Sequence, residues 1–160
     1  MEARHARQAE SSRPMKSRLA AEEGSERTFV LILDEGEEAF GAITKFAAEN
    51  GLSGASLTAL GAFARAKVGW FDLEAKTYRP IPVEAQCEAL SLIGDIATGD
   101  DGKPSLHMHA VLGLRDGSVR GGHFLEGMVR PTLEVVIVET AAHLHRRQQP
   151  GTGLALIDPR

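Results

Sequence analysis

The chain has 160 residues, enough for one domain with a substantial buried core. Its hydrophobic content of 42% with 25% charged residues is typical of a globular protein, and its apolar runs are far too short to span a bilayer. The formal net charge is −4, and residues 28–160 hold 12 basic against 17 acidic side chains. This balance argues against direct DNA binding, because a duplex-binding domain neutralises phosphates with cationic side chains.

The single cysteine and the amino-terminal segment indicate a cytoplasmic protein. Cys87 excludes an intrachain disulfide, fits a reducing compartment and is interpreted as a buried structural thiol. The first residues are charged throughout and lack the apolar stretch of a signal peptide. Translation could begin at Met1 or at Met15, and the sequence does not decide between them.

The sequence predicts three segments. Residues 1–27 have no sustained apolar periodicity and are predicted to be a mobile N-terminal tail. Residues 28–145 are predicted to form the folded domain, and residues 146–160 a C-terminal tail that begins as a loop.

The domain is predicted to begin with a strand and a helix. Residues 28–33 form a β-branched apolar run that suits a buried strand, and the acidic side chains among residues 34–38 then complement a helix start. Asn50 and Gly51 supply the helix end, since glycine readily takes the left-handed cap conformation. One apolar face at helical spacing comprises Ala39, Phe40, Ile43, Phe46 and Ala47.

Short strands follow this helix. They are predicted at residues 56–60, 66–71, 77–83, 88–96, 106–114, 118–125 and 133–139. Pro80 and Pro82 place the third of them at a sheet edge, and residues 98–104 are predicted to be a loop. The pattern predicts the α+β class, with a largely antiparallel sheet and packed helices.

Two histidines share one face of a predicted strand. Because side chains alternate along a strand, His107 and His109 project together. The residues that project oppositely are all apolar and should face the core: Leu106, Met108, Ala110 and Leu112. The two imidazoles are therefore an available pair of metal ligands.

A third histidine is placed by the following turn. If residues 115–117 form a three-residue hairpin loop, His109 lies directly opposite His123. A loop one residue longer would instead put His123 opposite Ala110, on the other face. A bulge at Gly121-Gly122 could also reset the pairing.

Three convergent imidazoles would suit Zn²⁺, Fe, Ni or Cu, and zinc is the expected metal. With an open fourth position, such a site lowers the pKa of bound water. No general base is obvious, although Asp95, Glu126 and Glu134 are candidates. The alternative is that His107 and His109 are half-exposed strand residues, and that His123 is a core residue bonded to a backbone carbonyl.

Other charged residues have weaker claims to a site. His143 and His145 form a second alternating pair without a third partner, which indicates a solvated strand end. Arg65 and Lys67 should line the solvent face of a strand, where they could bind an anion. The phosphate-loop, dinucleotide-binding and nucleophile-elbow patterns do not occur.

The histidine segments also carry a family resemblance. Residues 94–96, 102–110, 116–127 and 134–137 resemble the signature of the plant- and prokaryote-conserved (PPC) domain family, and the likeness extends over about residues 29–138. The chain looks like a bacterial stand-alone member. The resemblance implies an antiparallel sheet with packed helices and a homotrimer with histidines near its subunit interfaces. It also implies that His107, His109 and His123 match the histidines that form a metal site in some prokaryotic members.

The chain departs from the plant members of that family. In plants the domain follows AT-hook DNA-binding motifs, but no Arg-Gly-Arg-Pro core occurs here. The plant partner-contact motif Gly-Arg-Phe-Glu-Ile-Leu aligns with residues 85–90, which keep only Glu88 and Leu90. Both departures weaken a transcription-factor interpretation.

The leading hypothesis is therefore a cytoplasmic homotrimer that binds a divalent metal through three histidines and acts on or senses a small anionic ligand. The alternative is a non-catalytic, DNA-associated regulatory or oligomerisation module with structural histidines. No substrate, reaction or catalytic residue follows from the sequence, and whether the protein is an enzyme stays open.

Overall fold

The fold is dominated by strands. A computed structural model describes residues 15–159. Its elements in chain order are β1 (Lys16–Glu23), β2 (Glu26–Asp34), α1 (Ala39–Glu49), β3 (Gly54–Asp72), β4 (Thr77–Val83), β5 (Cys87–Thr98), β6 (Pro104–Gly113), β7 (Val119–Glu139), β8 (His145–Gln149) and β9 (Leu154–Asp158).

The predicted α+β class with packed helices is wrong. Within the described residues a single 11-residue helix accompanies nine strands of one sheet. The sheet is mixed, because β8 pairs with β5 in parallel while the other pairs are antiparallel. The class was misjudged because segments that look like breaks or tails in the sequence continue as strands.

Two long strands organise the sheet. Its main order is β1-β2-β7-β3-β5-β8-β9, with β4 added to β3 and β6 joining β5 to β7. The pairs β3–β5, β5–β6, β6–β7 and β7–β3 therefore form a closed circuit. The 21 residues of β7 pair with β6 at one end, with β2 at the other and with β3 along most of their length.

Glycine allows β3 to run unbroken where the sequence suggested two strands. Gly61 has φ of +150°, and a Cβ there would lie 2.2 Å from the backbone oxygen of Thr132 on β7. No side chain fits in that gap, so the two long strands approach each other closely at this point. The register of both of its sheet neighbours shifts beside Gly61, as at a bulge.

The predicted helix is confirmed. The Glu38 carboxylate caps its start by accepting hydrogen bonds from the backbone N–H groups of Phe40 and Gly41, at 3.1 and 2.7 Å. The same carboxylate accepts from the backbone N–H of Gly127 at 3.1 Å, which ties the helix start to β7. Of the predicted apolar face, Phe40 is only half-buried and the other four residues are buried. Gly51 has the expected positive φ, +63°.

The core is formed by the buried side chains of the helix and of strands β2 to β7. Phe29 and Phe46 pack edge to face with ring centroids 5.2 Å apart, which joins β2 to α1. Phe63 and Phe124 pack at 5.5 Å and join β3 to β7. Cys87 is buried, as predicted, and burial raises the pKa of its thiol.

Both predicted tails contain strands where the structure describes them. Residues 1–14 of the predicted N-terminal tail, and residue 160, lie outside the described residues. Residues 16–23 form β1, whose side chains are all exposed, so apolar periodicity gave no signal of it. Residues 145–158 form the β8–β9 hairpin, which packs through its buried Arg146. No helix among residues 15–159 is long and apolar enough to cross a membrane.

Candidate metal centre

The β6–β7 turn sets the register that brings the histidines together. The backbone N–H of Leu114 donates to the carbonyl of Ser118 at 2.8 Å, and Gly117 has φ of +81°. This is the predicted three-residue loop. His109 pairs directly with His123, and the β6–β7 register runs without a shift to the turn. The longer loop and the bulge that would have separated the histidines are therefore absent from this hairpin.

The two faces of β6 have the predicted character. Leu106, Met108, Ala110 and Leu112 are buried in the core. His107 is half-buried and His109 is exposed, and both lie on the outer face of the sheet.

Glycines allow the backbone to close around the third histidine. A Cβ at Gly122 would lie 2.5 Å from the carbonyl oxygen of Gly69, the residue that pairs with His123 across β3 and β7. A Cβ at Gly94 would lie 2.2 Å from the carbonyl oxygen of His107. The strands that carry His107 and His123 therefore lie directly against the backbone of neighbouring strands. This close packing restrains both histidines.

His107, His109 and His123 form a compact group, here called the three-histidine cluster. The ring centroids lie 5.1 Å apart for His107 and His109, 5.0 Å for His107 and His123, and 5.6 Å for His109 and His123. One ring nitrogen from each residue can be chosen so that the three lie within 4.8 Å of one another. Three nitrogens at this spacing can surround a single ion after small side-chain rotations.

His123 shows that the residues fit a metal. Its Nδ1 is buried and has no hydrogen-bond partner, and its ring stacks on Tyr78 with centroids 4.3 Å apart. A buried polar atom normally has a partner, so the unpartnered Nδ1 of His123 is available to bind one, such as a metal ion. The alternative prediction, a hydrogen bond from His123 to a backbone carbonyl, is not found at this nitrogen.

The cluster favours neutral imidazoles, the form that ligates metals. Burial, followed by the positive charges of His107, His109 and Arg146, lowers the pKa of His123 to about 4. Burial, followed by the proximity of His107, also lowers the pKa of His109. Protonation of two members is therefore suppressed near neutral pH.

One of the three candidate bases lies beside the cluster. Asp95 pairs with His107 across β5 and β6, and its Oδ2 lies 3.7 Å from Nδ1 of that ring. This distance allows electrostatic attraction but is too long for a direct hydrogen bond. Burial alone would raise the pKa of Asp95, but His107 and Arg146 outweigh that effect and lower it. Glu126 pairs instead with Lys67 at 3.0 Å, and Glu134 lies exposed further along β7.

A cleft of about 510 Å³ opens beside the cluster. It is lined by Trp70 and Tyr78 and by Leu154 and Leu156 of β9. Its volume falls in the range of small-molecule sites, and its lining is mainly apolar with a few polar groups.

Sequence reasoning missed two residues of this site. Tyr78 was placed only on an edge strand, and Arg146 was assigned to a loop. Arg146 is 6% exposed, contacts Asp95 and lines the cleft. The other histidine pair does not join the cluster. His143 Nδ1 shares a hydrogen bond of 2.5 Å with Ser53 Oγ, and His145 is exposed.

Comparison with known proteins places the chain among related folds. The sequence profile of the Plants and Prokaryotes Conserved (PCC) domain matches residues 20–141. A plant- and prokaryote-conserved (PPC) protein from Pyrococcus horikoshii is 34% identical, with a TM-score of 0.77 over 84% of this chain and 92% of that one. None of the curated proteins matches the chain significantly.

Two further solved structures are similar to this chain. A metal-containing protein from Archaeoglobus fulgidus is 31% identical, with a TM-score of 0.75 over 89% of this chain and 96% of that one. A candidate DNA-binding protein from Bacteroides thetaiotaomicron is 23% identical, with a TM-score of 0.81 over 91% and 98% of the two chains. The second likeness shows the fold alone.

Proposed function

The chain belongs to the Plants and Prokaryotes Conserved (PCC) domain family, and on this basis we propose that it binds a divalent metal, with zinc expected, through His107, His109 and His123. The observation that carries the proposal is the convergence of three ring nitrogens on a face where His123 Nδ1 is buried without a partner. The description of the Archaeoglobus fulgidus relative as metal-containing supports it.

The chemistry of the site follows from its donor set. Zinc bound by three imidazoles would supply a Lewis acid and an acidified water at an open position. The chain's own residues would hold the ligand rings: Tyr78 by stacking on His123, and Asp95 by attracting His107. Asp95, the candidate base beside the cluster, faces Arg146 and His107, and we propose metal binding without naming a reaction.

The cleft beside the cluster is the proposed place for a small anionic ligand. Positive charge would come from the metal and from the buried guanidinium of Arg146, while Trp70 and Tyr78 would cover the apolar part of the ligand. Acting on such a ligand and sensing it are both compatible with this arrangement. We expect the protein in the cytoplasm, in keeping with its single buried thiol.

We also propose that the protein is a homotrimer. The outer face that carries the cluster is apolar: Ile93, the strand partner of His109, is 54% exposed, and Leu90 is 55% exposed. Val111 and Val119 are exposed nearby on β6 and at the start of β7. Such a surface is typical of contacts between subunits.

Sedimentation should give the mass of three chains, and a single-chain mass at micromolar concentration would refute the trimer.

Elemental mass spectrometry of the purified, untagged protein tests the metal proposal. We expect about one zinc per chain in the wild type and in a His143→Ala variant, which removes a histidine outside the cluster. The His123→Ala variant should lose the metal, because two remaining imidazoles hold zinc weakly. The proposal would be refuted by a wild type that takes up no metal after incubation with zinc. Equal metal content in His123→Ala and His143→Ala would refute it as well.

The alternative, a DNA-associated regulatory or oligomerisation module without a metal, receives less support. Lys67, one of the two cations that could bind an anion, is paired with Glu126 at 3.0 Å. A salt-dependent DNA affinity that maps to Arg65 would favour this alternative.

A further inference from the structure

The β8–β9 hairpin lies beside the three-histidine cluster, although it is outside residues 20–141, which the family profile matches. It joins the sheet at β5, where Thr98 pairs in parallel with His145 and donates its backbone N–H to the carbonyl of Leu144 at 2.7 Å. The hairpin also contributes Arg146 and three residues of β9 to the cleft. A segment that lies outside the residues matched by the family profile therefore lines the cleft beside the cluster.

Arg146 holds the hairpin and the sheet together. Its Nη1 donates to the carbonyl of Ala155 on β9 at 3.2 Å, and its Nη2 contacts Oδ1 of Asp95 on β5. At 6% exposure the guanidinium is enclosed, so its charge is little screened and the ion pair with Asp95 is well defined.

Asp95 then faces His107. With Oδ1 engaged by Arg146, the second oxygen lies 3.7 Å from His107 Nδ1. A carboxylate on this side favours the tautomer with the proton on Nδ1, which leaves Nε2 as the nitrogen available for ligation. Carboxylates that orient metal-binding histidines in this way are common outside the ligand shell.

We propose that Arg146 and Asp95 are positioning residues of the metal site, and that the β8–β9 hairpin acts through them to fix the ring of His107. This inference rests on the proposed function. Arg146 sets the carboxylate of Asp95, and Asp95 sets the tautomer and orientation of His107. The hairpin is thus a part of the site that lies outside the residues matched by the family profile.

The zinc affinity of an Arg146→Gln variant tests this role, with Arg147→Gln as the matched control. Arg147 is the next residue of β8, is largely exposed and pairs with Asp158 within the same hairpin at 3.3 Å. We expect competition titration with a chelator to show affinity about 10–100-fold weaker for Arg146→Gln. The control should bind as the wild type does. Asp95→Asn should weaken zinc binding to a similar extent. If Arg146→Gln fails to fold, the zinc affinity of Asp95→Asn tests the positioning role instead.

A second readout does not depend on the metal. In the metal-free protein labelled with ¹⁵N-histidine, NMR should report the Nδ1–H tautomer of His107 in the wild type and in Arg147→Gln. Arg146→Gln and Asp95→Asn should populate the other tautomer. A merely structural role for Arg146 would change the melting temperature without this signature.

The outcomes separate the two proposals. If the wild type binds zinc and the Asp95 and Arg146 variants bind it equally well, the positioning role is refuted while the metal site stands. An unchanged tautomer in both variants refutes it as well. If the wild type binds no zinc, both the metal site and the positioning role fall.

Discussion

A Phe124→Ala variant should be less stable than the wild type by about 3–5 kcal/mol in the free energy of unfolding. Phe124 is fully buried, follows His123 on β7 and points to the opposite side of the sheet. Its ring packs on Phe63 with centroids 5.5 Å apart. Truncation removes this contact and leaves a cavity.

The surroundings of Phe124 cannot collapse easily into that cavity. Gly127 lies against both rings, since a Cβ there would come within 2.7 Å of Phe124 and 2.8 Å of Phe63. A glycine has no side chain to rotate into the space, and the strands on both sides are held by the sheet. The loss in the free energy of unfolding should therefore lie in the upper part of the range of about 3–5 kcal/mol.

Urea denaturation of the metal-free protein measures this loss. Val138→Ala is the control on the same strand, because Val138 is 44% exposed, lies at the far end of β7 and should change the stability by no more than about 0.5 kcal/mol when truncated. If Phe124→Ala cost less than about 1 kcal/mol, the described packing between β3 and β7 would be wrong.

Zinc should stabilise the folded protein by about 4.1 kcal/mol when free zinc is 1,000 times the dissociation constant. The reason is linkage: His109 and His123 are brought opposite each other only by the β6–β7 register, so the unfolded chain lacks the site. Removing zinc with a chelator should return the stability to that of the metal-free protein.

Denaturation curves recorded at several free zinc concentrations test this expectation. The stabilisation should grow with the logarithm of the zinc concentration in the wild type and in His145→Ala, and should disappear in His109→Ala. Zinc that stabilises all three proteins equally would indicate binding elsewhere, and zinc that stabilises none would contradict the proposed site.

The cluster could be predicted from the sequence because its geometry is local. His107 and His109 share a face through strand alternation, and His123 is placed by a turn of three residues ending in Gly117. Only the hairpin register was needed, and the apolar face behind the histidines fixes that register against a one-residue slip.

The rest of the site could not be predicted, because it depends on distant contacts. Arg146 reaches Asp95 across 51 positions of sequence, and no local pattern relates them. β1 is exposed along its whole length, so its pairing with β2 leaves no apolar periodicity to detect. The class was misjudged for a similar reason, since the close approach at Gly61 turns an apparent break into continuous strand.

The long strand β7 also has a consequence for how the chain folds. Its first residues meet β6 across a short turn, but Phe29 of β2 pairs with Ile137 near its other end. During synthesis, more than 100 further residues must be added before Ile137, the partner of Phe29, is present. Until then the apolar side chains of β2 can form non-native contacts. Sheets closed by such distant pairings fold in milliseconds to seconds rather than microseconds. The histidine hairpin can form early, but the strand on which it rests is completed only when the two halves of the chain meet.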